Sequence, residues 1–442
     1  IGDLIIDGGS LIVSAGQALT VGGTLTNNTS NGIVLKSPSG SGAPGSLKTD
    51  GAISFTGSGS LKAERFIPAY TSNLDGWHLI SSPVSSPPIS LATNLTPGES
   101  DDFYFYNEPT YEWLNQKVTK NNITTMANGT GYLVSYATNS TKYITGTPNN
   151  EAVTLSNLSY TDATSLAGRG WHIAGNPYPC AIKWNNGSYT FTNVSRVAKK
   201  MSNTGSFSDI NANDTISAMQ GFYIQVSGSE NTLTIPLTAR IHGKANWYKS
   251  IENNGILLAA NDLETKMSQD SWVRLNEQAS EGFDFEFDSH FLPLYAPKFY
   301  SKVGDELLST NSLPSLTAES IILFGFVKNE STQFSIELKQ NIDGYTPYLK
   351  DLKTNTIQNL AENPVYNFTS EAGDDPNRFE LRFMTPTGLD KTSTQSTLRV
   401  YTTNGKINIS GVEGKAEVFV RNIMGQVFLR NSVNGSTLQS IN

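Results

Sequence analysis

Two stretches of the chain place a tryptophan beside a histidine, in the order Gly-Trp-His followed by apolar residues. They span residues 76–86 and 170–180, and the two motifs lie 94 residues apart. A histidine beside a nucleophile or an acid is a common catalytic arrangement, so two active sites are one interpretation. Ser81 and Ser82 follow the first histidine, but glycine and asparagine follow the second. Because the frame repeats and the hydroxyl groups do not, the pattern favours one structural corner in a duplicated domain.

Four residues keep the same offset in both copies, and they are Trp77, Pro83, Trp171 and Pro177. A tryptophan buries a large apolar area, so we expect Trp77 and Trp171 to anchor two cores. The prolines are expected to form rigid turns, because the proline ring fixes one backbone dihedral. We expect the two histidines to be satisfied by local hydrogen bonds.

Acidic residues alternate with phenylalanines in residues 282–291, which predicts a strand with Asp284, Glu286 and Asp288 on one face. Alternate residues of a strand lie ~6.5–7 Å apart, close to the spacing of paired catalytic carboxylates. Catalytic carboxylates normally come from different elements around a cleft, however. The pattern therefore favours a solvated face, and catalysis or cation binding remain the alternatives.

Oxygen ligands recur at alternate positions in residues 208–215, where Asp209, Asn211 and Asn213 resemble the first half of a calcium loop. The glycine and the final glutamate of such a loop are absent, and Gln220 stands at the twelfth position. The alternative is a polar turn whose side chains bond their own backbone. Calcium is the only cofactor that the sequence suggests.

Aromatic residues in polar loops could stack on sugars, and the candidates are Trp113, Trp184, Tyr106 and Tyr111. Packing at the edge of a β-sandwich is the favoured alternative. The single cysteine, Cys180, excludes an internal disulfide and is expected to be buried and unreactive.

Composition indicates an all-β chain. Only 16% of its 442 residues are charged, and glycine is abundant, which suits short strands and tight turns. A net charge of −8 without a basic run excludes nucleic acid as a partner. The longest apolar run, residues 321–327, is too short to span a bilayer. The chain opens within a strand pattern, so we expect it to be part of a longer protein.

The order of the patterns predicts a multidomain protein. Residues 1–66 contain very short apolar runs at regular spacing, which favours stacked β-solenoid rungs, with an ordinary sandwich as the alternative. Residues 67–152 and 153–248 form the two matching units, and we call them repeat 1 and repeat 2. The remaining predictions are a sandwich over 249–385, a polar linker over 386–397 and a partial domain over 398–442.

The last segment resembles a known family. Residues 400–431, with a Val-Tyr opening, paired strands and an Ile-Met-Gly-Gln turn, look like the C-terminal sorting domain of type IX secretion cargo. The resemblance assigns the sorting signal to Val400, Tyr401, Gly425 and Gln426. The usual Pro-Asn-Pro after Val-Tyr is replaced by Thr-Thr-Asn, and the family's closing strands are missing. About four strands cannot cover a sandwich core, so a partner or further residues are expected to complete this module.

The duplicated units are similar to modules that precede this tail in large surface cargo, on the strength of "GWHIAGNPYPCAIKW". The resemblance implies a secreted, non-enzymatic, adhesin-like or structural protein on the surface of a Gram-negative bacterium. Implied partners are the translocon, the outer-membrane shuttle, the sortase and surface glycans. The alternatives are accessory domains of a larger hydrolase or an array of carbohydrate-binding modules. Residues 214–216 also resemble an O-glycosylation signal of such bacteria, with the glycan on Thr215.

Overall fold

The chain is all-β in the computed structural model. The structure describes residues 1–40, 42–72, 75–90, 94–162, 169–203, 206–243, 255–293, 295–384, 399–403, 406–410, 414–421, 426–434 and 439–441. Its short 3₁₀ turns are Glu108–Thr110, Thr119–Asn121 and Leu237–Ala239. None of the described residues belongs to a helix long and apolar enough to cross a membrane. Two compact units are present, residues 1–384 and 385–442.

The first unit begins with a β-solenoid, as the short apolar runs predict. Its strands are β1 (Leu4–Ile6), β2 (Leu11–Val13), β3 (Ala18–Val21), β4 (Leu25–Asn27), β5 (Ile33–Leu35), β6 (Ser46–Thr49), β7 (Ile53–Phe55) and β8 (Leu61–Ile67). Strands of successive coils pair in parallel, in the orders β1-β4-β7, β2-β5-β8 and β3-β6. Val21, Leu25 and Leu61 point inward and are fully buried, because each coil covers the apolar side of its neighbour.

Strand β8 carries the chain from the solenoid into repeat 1. It pairs in parallel with β5 and in antiparallel register with β13 (Ser140–Gly146). Leu61 therefore shares one hydrophobic core with Phe103 and Val134 of repeat 1. The predicted boundary near residue 66 thus falls inside a strand that serves both sides.

The two repeats fill the middle of the unit. Their other strands are β9 (His78–Ser81), β10 (Asp102–Asn107), β11 (Glu112–Asn115), β12 (Gly131–Ser135), β14 (Val153–Leu158), β15 (Trp171–Gly175), β16 (Ala181–Lys183), β17 (Thr190–Thr192), β18 (Ala198–Met201), β19 (Phe207–Ile210), β20 (Thr215–Ile216), β21 (Gly221–Gln225), β22 (Asn231–Ile235) and β23 (Arg240–Ile241). Repeat 1 contains the sheet β9-β12-β10-β11, and repeat 2 contains the sheet β15-β21-β18-β19.

Residues 255–384 form the third domain. Its strands are β24 (Gly255–Asp262), β25 (Ser268–Leu275), β26 (Ser289–His290), β27 (Lys298–Val303), β28 (Glu306–Leu313), β29 (Ile321–Val327), β30 (Gln333–Gln340), β31 (Thr346–Asp351), β32 (Thr356–Asn359), β33 (Val365–Thr369) and β34 (Asn377–Met384). They make one sheet in the order β32-β31-β34-β29-β27-β28-β25-β24-β30-β33, with β26 beside β28. The sheet rolls over on itself, since Phe326 of β29 lies 5.0 Å from Phe334 of β30 and 4.9 Å from Phe368 of β33, measured between ring centroids.

The strand predicted over residues 282–291 is wrong. Residues 285–287 form a turn, and the amides of Phe287 and Asp288 donate to the carbonyl of Asp284 at 2.9 and 2.8 Å. The Asp288 carboxylate accepts the amides of Asp284 and Ser312 at 2.8 and 2.7 Å. These local bonds outweigh the alternation of residue types, so Asp284, Glu286 and Asp288 do not share a strand face.

The second unit has the strands β35 (Arg399–Thr403), β36 (Lys406–Ser410), β37 (Lys415–Arg421), β38 (Val427–Asn434) and β39 (Gln439–Ile441). They form a three-stranded sheet, β35-β36-β39, and a hairpin, β37-β38. Val400 and Tyr401 lie in β35, and Gln426 precedes β38. Gly425 and the predicted linker 386–397 lie outside the described residues.

Candidate functional site

The two repeats use one sheet order and one strand register. In repeat 1, Gly131 pairs with Ser81 and Val134 with His78. In repeat 2, Gly221 pairs with Gly175, and Ile224 pairs with His172 in the same way. The neighbouring hairpins β10-β11 and β18-β19 also take equivalent places in their sheets. The repeated Gly-Trp-His motif is therefore the same corner of a duplicated fold.

The two corners meet at an internal pseudo-twofold axis. The Ser81 amide donates to the Met219 carbonyl at 3.0 Å, and the Gly175 amide donates to the Gly129 carbonyl at 2.7 Å. These two bonds join equivalent positions in exchanged order, as across a twofold dimer interface. Isolated bridges repeat the symmetry, since Ile80 faces Gln220 while Ala174 faces Thr130. The duplicated glycines and small residues allow this close approach of the two backbones.

The tryptophans of the corners differ in burial. Trp171 is 1% exposed and Trp77 is only half-buried, and both join one apolar cluster that the two repeats share instead of anchoring two separate cores as predicted. Pro83 and Pro177 are both buried, and their carbonyls accept the backbone amide and the side-chain amide of Asn149 at 3.1 and 2.8 Å. The two prolines thus hold one asparagine between the repeats.

The histidines carry no catalytic arrangement. His172 Nε2 lies 2.7 Å from the Ser159 carbonyl, as the local-bond prediction requires. His78 Nε2 is buried and has no hydrogen-bond partner among the described residues, so that prediction is wrong for His78. Burial and the nearby Arg65 charge lower the pKa of His78 to about 4. Burial also lowers the pKa of His172, against the opposing effects of its bond to Ser159 and of Glu108.

A face of each four-stranded sheet points away from its own repeat core, and we call it the outer face. In repeat 2 the outer face carries Trp171, Tyr223 and Phe207, and β19 packs on β25 and β28 of the third domain. Leu292 of the third domain joins the same apolar cluster. The outer face of repeat 2 is therefore a docking surface within the chain.

A buried ion pair lies within this docking surface. Lys199 Nζ is 2.6 Å from Asp209 Oδ1, and these side chains are 0% and 2% exposed. The hydroxyls of Ser309 and Thr310 from the third domain donate to Asp209. Burial lowers the pKa of Lys199, and the Asp209 carboxylate opposes that shift. The cluster joins repeat 2 to the third domain through charge-assisted hydrogen bonds.

The calcium hypothesis does not fit this position of Asp209. Its oxygens are engaged by Lys199, Ser309 and Thr310 rather than turned toward a cation, because Asp209 ends up in strand β19 instead of a loop. Asn211 instead donates its backbone amide to Asp214 Oδ2 at 2.8 Å, and Asn213 has a positive φ of 68°. Over the described ranges, no group of three or more His, Cys, Asp or Glu side chains is placed to hold a metal ion.

The outer face of repeat 1 is aromatic. Its ring residues, which we call the aromatic face, are Trp77, Tyr104, Tyr106 and Trp113, and they pack in the same hydrophobic cluster as Trp171, Phe207 and Tyr223 of repeat 2. The ring centroids of Trp77 and Tyr104 are 6.2 Å apart, and those of Tyr106 and Trp113 are 5.1 Å apart. Tyr106 is 8% exposed, whereas the other three are half-buried and present part of their rings to solvent.

Polar groups border the aromatic face. The Tyr104 hydroxyl donates to Asp102 Oδ1 at 3.1 Å, and Lys117 Nζ lies 3.9 Å from the same oxygen. The Asn115 side chain also bonds the Tyr104 hydroxyl. Burial raises the pKa of Tyr106 to about 12, so its hydroxyl stays neutral at physiological pH. Tyr111, which follows the 3₁₀ turn, is 37% exposed.

Trp184 was predicted to lie in a polar loop where its ring could stack on a sugar, and the structure does not place it at the surface. It is fully buried, and its Nε1 donates to the Arg196 carbonyl at 2.7 Å. Its ring packs on Phe222, with the centroids 5.2 Å apart. The polar neighbours of Trp184 along the sequence therefore did not predict its burial.

A cleft with a volume of about 910 Å³ lies between repeat 2 and the third domain. Arg196 and Glu286 line it and form an ion pair at 3.2 Å. Asn211, Asn276 and Ser312 also line it. Val197, Leu275 and Phe287 line it as well, so the cleft is of mixed polarity.

A family model described as Domain of unknown function (DUF8693) matches residues 3–197 and 184–383. The chain belongs to this family. No curated protein and no solved structure matches the chain.

The two DUF8693 matches cover different groups of the residues described above. The aromatic face lies wholly within the first matched segment, and Asp209, Ser309 and Thr310 lie in the second. Cys180 is buried in this DUF8693 chain, and burial raises the pKa of its thiol to about 12, which makes it a poor nucleophile. Thr215 is partly exposed in strand β20 and stays a predicted glycan acceptor.

Proposed function

We propose that the chain is an adhesin-like protein of the bacterial cell surface, exported by the type IX secretion system. Residues 1–384 are the displayed body. Residues 385–442, which we call the tail, are the sorting signal that the translocon, the shuttle and the sortase recognise. The resemblance of residues 400–431 to type IX sorting domains supports the export route. The single structural observation that carries the proposal is the division of the chain at Met384, since a sorting domain must be separable from its cargo.

The tail has the features of a module that is handled by a partner. Its hairpin exposes apolar side chains, with Phe419, Val427 and Phe428 exposed by 43%, 48% and 74%. Exposed apolar residues on strand pairs favour association with another protein surface. This agrees with delivery to a secretion apparatus.

The displayed body is proposed to have no hydrolase activity. Two of its buried ionisable groups are engaged within the fold, since Lys199 pairs with Asp209 and Asp288 accepts the Ser312 amide. Neither corner histidine faces a hydroxyl nucleophile in its recorded hydrogen bonds. The polar residues therefore support a binding or structural role.

Deletion of the tail tests the export route. A chain that ends at Met384 should stay in the cell when expressed in a bacterium with a type IX system, while its body keeps the thermal midpoint of the full chain. The matched control is a reporter protein fused to residues 385–442, which should reach the surface. Normal surface display of the truncated chain would contradict the proposal.

A further inference from the structure

Lys199 and Asp209 lie directly opposite each other on neighbouring strands of repeat 2, since the register of β18 and β19 pairs them. Lys199 Nζ lies 2.6 Å from Asp209 Oδ1. A nitrogen at hydrogen-bond distance from a carboxyl oxygen lies roughly 3–3.5 Å from the carboxyl carbon, which is the separation that reacting atoms require. The fold therefore holds an amine against the carbon atom of a carboxyl group.

Burial separates this pair from the other lysine–carboxylate pairs recorded among the described residues. In those pairs the lysine side chain is 27% to 43% exposed, so water stabilises the charges. Lys199 is 0% exposed, and burial lowers the pKa of its amine, although the Asp209 carboxylate opposes that shift. Transfer of one proton within the pair gives a neutral amine and a neutral carboxylic acid, which an apolar interior accommodates more easily than two charges. The neutral amine is a nucleophile.

Two hydroxyl groups of the third domain complete the arrangement. Ser309 Oγ contacts Lys199 Nζ and lies 3.2 Å from Asp209 Oδ1, so it can carry a proton from the nitrogen to that oxygen. Thr310 donates its hydroxyl to Asp209 Oδ2, and Ser309 Oγ lies 3.0 Å from the same atom. Hydrogen-bond donors at Oδ2 stabilise the negative charge that forms there when a nucleophile adds to the carboxyl carbon.

We propose that Lys199 and Asp209 join in an intramolecular amide bond. Nζ of the neutral amine adds to Cγ of the neutral carboxylic acid, and the electron pair of the C=O bond moves onto Oδ2. One proton then passes from Nζ through Ser309 to the Oδ1 hydroxyl, which leaves as water while the C=O bond to Oδ2 forms again. One C–N bond replaces one C–O bond, one water molecule is released, and no oxidant or cofactor is consumed.

The amide bond would tie β18 covalently to β19, the edge strand on which the third domain packs. The distance of 2.6 Å is that of the pair before reaction, so a freshly folded chain still holds the ion pair. Because Ser309 and Thr310 belong to β28, the bond forms after repeat 2 and the third domain have folded together. The proposal does not depend on the export route.

Intact-mass spectrometry of the purified full chain tests the proposal. After incubation to constant mass, the chain should be lighter than its sequence by the mass of one water molecule. Fragmentation of the digested chain should then show a branched peptide in which Lys199 is joined to Asp209. Lys199→Arg keeps the positive charge, but a guanidinium does not lose its proton in proteins, so this variant should keep its full mass.

Lys353→Arg is the matched control, because Lys353 lies 2.7 Å from Asp374 and is 43% exposed, and this variant should lose water as the wild type does. Ser309→Ala removes the proton carrier and should slow the loss of water by roughly tenfold or more. If Lys199→Arg does not fold, the branched peptide of the wild-type chain decides the question. The proposal is overturned if the wild-type chain keeps its full mass, or if the lost water maps to another residue.

Discussion

Repeat 1 and repeat 2 present equivalent outer faces to different surroundings. In repeat 2 the third domain covers the face, and Lys199 and Asp209 lie fully buried beneath Ser309 and Thr310. In repeat 1 the equivalent face keeps Tyr104 only half-buried. The strand order and register beneath the two faces are the same.

A duplicated sheet can therefore change what packs on it through a few side chains. A charge pair becomes favourable in the protein interior only where a second domain supplies hydrogen bonds to it. A phenol and an amide tolerate contact with water at the same positions. Both faces belong to one hydrophobic cluster, and they differ because the third domain packs on the repeat 2 side while Tyr104 on the repeat 1 side stays half-buried.

The sharpest test of this difference is Lys199→Met against Tyr104→Phe. Removal of Lys199 leaves the Asp209 charge buried without its partner, so the free energy of unfolding should fall by about 3–5 kcal/mol. The equivalent change in repeat 1 removes one half-buried hydroxyl and should cost about 1 kcal/mol. Urea unfolding measures both.

The double variant Lys199→Met with Asp209→Leu controls for the loss of packing. It should recover most of the stability, because no unpaired charge remains in the interior. If the double variant is as unstable as Lys199→Met alone, the buried charge is not the cause.

Removal of the corner tryptophan should also destabilise the fold more in repeat 2 than in repeat 1. Trp171→Ala empties a fully buried site and should cost about 3–5 kcal/mol. Trp77 is half-buried, so Trp77→Ala should cost about half as much. Equal losses in the urea midpoint would show that the two corners are buried alike.

The corner histidines should make the chain sensitive to acid. The folded pKa of His78 is about 4, below the ordinary value of 6.5, so its neutral form stabilises the fold. Stability is fully present above pH 6.5 and is lost as the pH falls toward 4, by up to about 3 kcal/mol. His78→Phe should flatten the dependence of the urea midpoint on pH over this window.

His172→Phe is the comparison within the other repeat. The bond to Ser159 and the Glu108 charge oppose the lowering of the His172 pKa, so this change should flatten the profile less. A larger effect from His172→Phe than from His78→Phe would reverse the predicted order.

The glycines on the pseudo-twofold axis test how closely the two backbones meet. A Cβ at Gly131 would lie 2.5 Å from Ile173 Cγ2 and 2.6 Å from the Ala174 carbonyl oxygen. Gly131→Ala should therefore destabilise the fold by about 1–3 kcal/mol. A Cβ at Gly221 would lie no closer than 3.1 Å to Leu79 or Ile80, so Gly221→Ala should be milder. Thermal midpoints in the opposite order would show that the two backbones meet differently.

Much of the architecture could be predicted from local patterns. The short apolar runs of residues 1–66 predict stacked parallel rungs, and the structure confirms them. The repeated motif predicts a duplicated corner, and the register of Gly131 and Gly221 confirms it. These features depend on residue spacing along the chain, which the sequence carries directly.

The surroundings of individual side chains could not be predicted in this way. Asp209 has the spacing of a calcium ligand, yet it lies against Lys199 and two hydroxyls from a strand about 100 residues away. Trp184 sits among polar neighbours in sequence and is nevertheless fully buried. Asp284 and Asp288 alternate with phenylalanines, but their bonds to nearby amides form a turn instead of a strand.

The sequence by itself determined the all-β class, the solenoid and the duplication, because period and spacing are local properties. Only the tertiary structure decided which outer face the third domain contacts, since β19 of repeat 2 packs on β25 and β28. Lys199 and Tyr104 occupy equivalent strand positions, and only the packing against Ser309 and Thr310 makes one of them a buried charge. Burial and long-range hydrogen bonds arise from the whole fold, and no local pattern specifies them.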